Sequence, residues 1–110
     1  MRRGDIVVVS APGDYGKPLP AVVVQADVLT ESGVGSVILC LICSTVVEAP
    51  LIRLTVEPTP ENGLRQLSQI MVDKLLAVSH ERITEVIGRI NDEQLLLRLN
   101  RTLAFVVGIG

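Results

Sequence analysis

The sequence predicts a mainly β domain with one C-terminal helix: a small, curved, largely antiparallel barrel with the helix on its outside. Three observations carry this expectation. Short runs of branched side chains, Ile6-Val7-Val8-Val9 and Ala21-Val22-Val23-Val24, are punctuated by Gly and Pro, as strands are. Ser36-Val37-Ile38-Leu39-Cys40-Leu41-Ile42-Cys43 is a continuous apolar run, the pattern of a central strand buried on both faces. A helical period appears only near the end, where Leu95, Leu99, Leu103 and Val107 recur every four residues and Leu96 and Val106 widen the stripe.

Taken in order, the first two strands bracket the loop Gly13-Asp14-Tyr15-Gly16-Lys17-Pro18-Leu19-Pro20. A loop held at both ends by a rigid scaffold is where function concentrates, and this one carries Asp14, Tyr15 and Lys17. Between Asp27 and Gly35 the pattern weakens into a loop with Thr30, Ser32, Gly33 and Gly35. Ser44 and Thr45 end the central strand with hydroxyls at its mouth. They can donate to a phosphate or an oxyanion, or satisfy nearby backbone.

Leu51 to Val56 is the next strand, with Arg53 and Thr55 on one face and Ile52 and Leu54 on the other. Pro58 and Pro60 stop it, and Glu57 to Gly63 is a turn-rich connection containing Asn62-Gly63. Arg65 leads into a strand over Gln69 to Asp73. Ser79 to Gly88 is ambiguous; His80, the single imidazole, is a possible general base, but its neighbours Glu81 and Arg82 suit a solvated turn. The helix starts at Asn91, which with Gln94 forms a variant capping box, while Asp92 and Glu93 suit the positive end of the helix dipole. Arg98 and Arg101 project away from the apolar face, and Gly108 is the C-cap.

One domain over residues 1–110 is expected, and 48% hydrophobic residues with mean hydropathy +0.49 exclude a disordered chain. With Tyr15 and Phe105 the only aromatics, Val, Leu and Ile must fill the core. So apolar a small chain favours a face covered by a second copy, a homodimer. No run approaches the ~20 apolar residues of a membrane span, and no signal-type segment opens the chain, so a cytoplasmic protein is expected.

Net charge is −2, which gives no general attraction to nucleic acid. Its distribution leaves a weak basic edge, with Arg2, Arg3 and Lys17 against Asp5 and Asp14 before Pro20. Cys40 and Cys43 form a C-x-x-C without the further ligands of a zinc site. On a strand their Cα atoms lie about 10 Å apart at roughly 3.3 Å per residue, beyond the ~7 Å limit for a disulfide. Free thiols on opposite faces follow. No metal and no cofactor are expected.

The ordered series Arg3-Gly4-Asp5-Ile6-Val7, Pro12-Gly13-Asp14-Tyr15-Gly16-Lys17-Pro18-Leu19-Pro20-Ala21-Val22-Val23-Val24-Gln25, Ser44-Thr45 with Ala49-Pro50, Val56-Glu57-Pro58 to Glu61-Asn62-Gly63-Leu64, and Gln69-Ile70-Met71-Val72-Asp73-Lys74 resembles the MazF/PemK toxins. These are sequence-specific endoribonucleases of toxin–antitoxin modules. The resemblance covers nearly the whole chain and implies a small SH3-like barrel of the CcdB/PemK type. It also implies a homodimer, metal-independent cleavage of single-stranded mRNA through its 2′-OH, and an antitoxin whose flexible acidic segment blocks the same groove.

Residue by residue, the resemblance places the family's catalytic Arg at Leu19 and its catalytic Thr at Cys43, with Ser44 and Thr45 as hydroxyls able to stand in. It implies RNA contacts from Arg3, Asp14, Tyr15, Lys17, Gln25, Arg53, Arg65 and Gln69. Leucine offers neither a proton route nor a guanidinium fork for phosphate, so impaired cleavage is expected. Two alternatives are a non-catalytic homologue that binds RNA or antitoxin, and a gyrase-directed toxin. Val107-Gly108-Ile109 faintly resembles the tail of the gyrase-poisoning CcdB toxins, but the Trp of that tail is replaced by Val107.

Overall fold

A computed structural model describes residues 1–10 and 17–109. The elements are β1 (Asp5–Val9), β2 (Leu19–Val23), α1 (Asp27–Glu31), β3 (Ser36–Cys43), β4 (Arg53–Val56), β5 (Ser68–Ser79), β6 (Ile83–Arg89) and α2 (Glu93–Val106). The six strands form one antiparallel sheet in the order β4-β5-β3-β2-β1-β6. No helix among the described residues is long and apolar enough to cross a membrane.

The connection between β5 and β6 forces this sheet to curve. The two strands are four places apart in the sheet, about 19 Å if it were flat at roughly 4.8 Å per strand. Only the 3-10 turn His80–Arg82 joins them, and such a link reaches at most about 14 Å at ~3.5 Å per residue. The sheet therefore bends until the end of β5 meets the start of β6. Register shifts at Cys40/Ile42 on β3 and at two points on β1 supply the local bending.

Curvature gives both faces a core. Val7, Val9, Ala21, Val23, Leu39, Leu41, Met71 and Val78 fill the inner face, joined by Ile83 from the far edge. Ile6, Val22, Cys40, Ile42, Ile70 and Val72 alternate with them and face outward, where α2 lays Leu95, Leu96, Leu99, Leu103 and Val106 over them. Cys40 and Cys43 are free thiols on opposite faces, as the alternation requires.

Several expectations need correction. The Asp27–Gly35 stretch holds the short helix α1, and the strand expected to end at Asp73 runs on to Ser79. The segment after His80 is β6, an edge strand whose exposed positions erase the strand pattern. Asp92, not Asn91, caps α2: its Oδ1 accepts from the Gln94 and Leu95 amides at 2.9 and 3.4 Å. Val107 is half exposed and off the packed face, because the helix unwinds there. The Ile109 amide donates to the Ala104 carbonyl at 2.8 Å and Gly108 sits at φ +81°, the ending that glycine permits.

The link between β4 and β5 is pinned against β6. Buried Asn62 accepts from the amides of Thr59 and Leu64 at 3.0 and 2.9 Å and donates to the Glu57 carbonyl at 2.9 Å. The Arg89 amide then donates to the Glu61 carbonyl at 2.8 Å, so the two backbones touch. A Cβ on Gly63, which lies at φ +71°, would strike the Ile87 carbonyl, and one on Gly88 would strike Asn62. Around Gly35 there is open space.

Gly63→Ala is expected to cost several kcal/mol in denaturant melts, from backbone strain and the clash together, on the order of the ~4 kcal/mol tail for point mutants. Gly35→Ala should remain within about 0.5 kcal/mol of the parent.

Candidate functional site

Where α2 and the β4–β5 link leave the outer face uncovered, a groove of about 660 Å³ opens. Val8, Pro20 and Ile42 belong to one cross-strand row over β1, β2 and β3 and form an apolar floor. Leu64, Arg65, Gln66 and Ser68 line it from the β4–β5 side, and Lys17, Pro18 and Leu19 from the start of β2. Cys43, Ser44 and Thr45 contribute the end of β3, and Glu85 and Ile87 come from β6. The shape is a shallow apolar trough with hydroxyls and opposite charges at its rim.

Six of the residues expected at a site meet here: Lys17, Leu19, Cys43, Ser44, Thr45 and Arg65. Ser44, Thr45, Lys17 and Arg65 are exposed and, among the described residues, have no side-chain partner. The Cys43 thiol instead donates to the Thr45 carbonyl at 3.3 Å, which fixes the strand end. Leu19 is half-buried and packs on the inner core beside the groove, as an apolar side chain at that position would. Asp14 and Tyr15 lie outside the described residues.

Four other expected contacts lie away from the groove lining, held by local partners. Gln69 is 3% exposed; its amide accepts from the Val47 amide and donates to the Val47 carbonyl, both at 3.0 Å, tying the β3–β4 loop to β5. Gln25 is 4% exposed, accepts from the Ile38 amide at 3.2 Å and donates to Thr30 Oγ1 at 3.1 Å. Arg53 pairs with Asp73 at 3.0 Å, and Arg3 Nε donates to the Val24 carbonyl at 2.9 Å. Polar type in a strand does not reveal whether a side chain points at a ligand or at its own backbone.

Sequence reading missed Ser68, Gln66 and Glu85. The first two lay in a stretch read as approach to a strand, and Glu85 in the segment not recognised as β6. Recognising the edge strand would have exposed Glu85, since Glu85 pairs with Val8 and shares its face. A second cleft, of about 300 Å³, lies between the β4–β5 link and the start of α2, with Arg89, Arg98, Asp92 and Glu57 at its walls. No group of three or more His, Cys, Asp or Glu able to hold a metal occurs among the described residues.

Burial pushes the Cys40 thiol up from 9.0 to about 12, with Arg3 lowering it and Asp73 raising it. The folded state therefore keeps a proton that the unfolded chain loses above about pH 9. That contribution to stability is fully present below pH 9.0 and disappears as pH rises toward about 12. Thermal melts from about pH 8 to about pH 11 should fall more steeply for the parent than for Cys40→Ala, whose absolute stability is lower.

The profile of the family described as PemK-like, MazF-like toxin of type II toxin-antitoxin system matches residues 2–107. A probable endoribonuclease MazF of Mycolicibacterium smegmatis is 36% identical over 111 residues, covering 100% of this chain and 99% of that protein. The fold is similar to the Mycobacterium tuberculosis toxin MazF-mt6, at TM-score 0.80 and 17% identity over 96% of this chain and 98% of that one. It is similar also to a mycobacterial endoribonuclease solved in complex with its cognate antitoxin, at TM-score 0.77 and 16% identity over 100% and 97%.

Proposed function

The chain belongs to the PemK/MazF family of toxins of type II toxin–antitoxin systems, and we propose that it binds single-stranded RNA in the groove beside Leu19 with cleavage strongly impaired. The observation that carries this reading is the meeting of Lys17, Arg65, Ser44 and Thr45 around one apolar trough. Cations and hydroxyls suit a phosphodiester backbone, and an apolar floor suits unstacked bases.

Cleavage of RNA through its own 2′-OH needs a group to take that proton, one to protonate the departing 5′ oxygen, and donors around the pentacoordinate phosphorus. The named relative is a probable endoribonuclease, which makes this reaction the one to test here. Lys17 and Arg65 provide positive charge for the phosphate, and Ser44 and Thr45 provide hydroxyl donors. Leu19 provides neither at the position where the family usually has Arg. Losing one such donor costs about 10²–10³ in rate. Metal is not required by this chemistry.

A mycobacterial relative has been solved with its antitoxin, and an acidic antitoxin segment laid in the same trough would exclude RNA here. Pairing with a second copy would cover part of the exposed apolar surface, such as Leu51, Phe105 and Ile109. The cytoplasm, where mRNA is available, is the setting that suits both partners. A second reading, a purely binding homologue, is favoured by one observation: Leu19 is used as a core side chain, packed on the inner cluster.

Cleavage of a mixed single-stranded RNA in the presence of chelator, by the parent and by Leu19→Arg in parallel, tests the proposal. Cutting at least about 10²-fold faster by the Arg variant is expected. Equal cutting by both would show that Leu19 is tolerated and overturn the impairment. No cutting by either, with RNA still bound, would favour the binding homologue and make Cys43 the next position to restore.

A further inference from the structure

Resting on the RNA reading of the groove, we propose that Glu85 is a specificity-determining residue that selects guanine at one position of the bound strand. Glu85 pairs with Val8 across β6 and β1, and Val8 pairs with Pro20, so the carboxylate stands in the same cross-strand row as the apolar floor. It is exposed, lines the trough, and among the described residues enters no ion pair. The two cations of the same trough come from the start of β2 and from the segment leading into β5.

A carboxylate in a groove for a polyanion repels phosphate, so the strand must run with its phosphates toward Lys17 or Arg65. A base splayed onto the Val8–Pro20 floor then presents its edge to Glu85. An ionised carboxylate only accepts, through two oxygens side by side. Guanine alone offers two adjacent donors on its Watson–Crick edge, N1–H and the N2 amino group. Adenine and cytosine each place one amino donor beside a ring-nitrogen acceptor, and uracil places N3–H between two carbonyls. With those three, one carboxylate oxygen faces a lone pair, so the same residue that attracts guanine rejects the others.

The experiment is fluorescence anisotropy with labelled seven-nucleotide RNAs: all-uridine, and the same strand with a central guanine, inosine, adenine or cytosine. The guanine strand is expected to bind about 5- to 150-fold more tightly than the uridine strand, the range of a bidentate base contact. Inosine, which lacks the N2 amino group, should fall between them. Glu85→Gln should remove the guanine preference. Because it also removes a negative charge, it should bind all five strands somewhat more tightly at low salt; a purely electrostatic role would raise all five equally and leave the guanine ratio intact.

An unchanged ratio in Glu85→Gln, or parent protein that binds all five strands equally, overturns the inference while leaving the RNA reading in place. Failure of the parent to bind any strand overturns both. Glu85 is exposed on an edge strand, so the variant should melt with the parent, and coincident melts establish that the ratio is read on folded protein.

Discussion

The backbone contact between the β4–β5 link and β6 is the constraint on which the groove depends. Gly63 and Gly88 allow two main chains to touch where any side chain would strike the opposite backbone. Asn62 ties the link internally, and the Glu61 carbonyl takes the Arg89 amide. Leu64, Arg65 and Gln66 follow directly from this pinned turn, so one side of the trough is set by a packing contact between elements distant in sequence. On the opposite side, the Cys43–Thr45 bond and the Gln69 clamp on Val47 fix where β3 ends and the next loop begins.

This frame separates stability from chemistry. The buried polar residues Gln25, Asn62, Ser68 and Gln69 bond to nearby backbone or hydroxyl groups, and no buried side-chain N or O among the described residues lacks a partner. Such groups would be costly to redirect toward a ligand, since each would leave a backbone amide or carbonyl unpaired. The residues free to act are the exposed ones at the rim: Lys17, Ser44, Thr45, Arg65 and Glu85. A polymer is better suited to so open and shallow a trough than a small molecule that must be enclosed.

Much of the fold was legible because the continuous apolar runs of β1 to β3 follow directly from burial on both faces, and the Leu95–Leu99–Leu103 stripe from packing on one. The edge strand β6 was not legible, since most of its side chains are exposed or half-exposed and leave no apolar period to read. The extension of β5 past Asp73 was hidden for a related reason: Asp73, Lys74 and Ala77 are exposed on a strand that is buried elsewhere. At the site, chain order brought Lys17, Leu19 and the Cys43–Thr45 end into view. Glu85 and Ser68 depended on a curvature that no local pattern encodes, while Arg3, Gln25, Arg53 and Gln69 are held by partners that only the three-dimensional arrangement supplies.

The most direct test of the central claim is a map of amide chemical-shift changes as a non-cleavable 2′-O-methyl RNA is titrated into the protein. RNA seated in the trough should move the amides of Lys17, Ser44, Thr45, Arg65, Ser68 and Glu85 and leave the second cleft at Glu57, Asp92 and Arg98 quiet. Changes centred on that second cleft, with the trough unmoved, would contradict the claim.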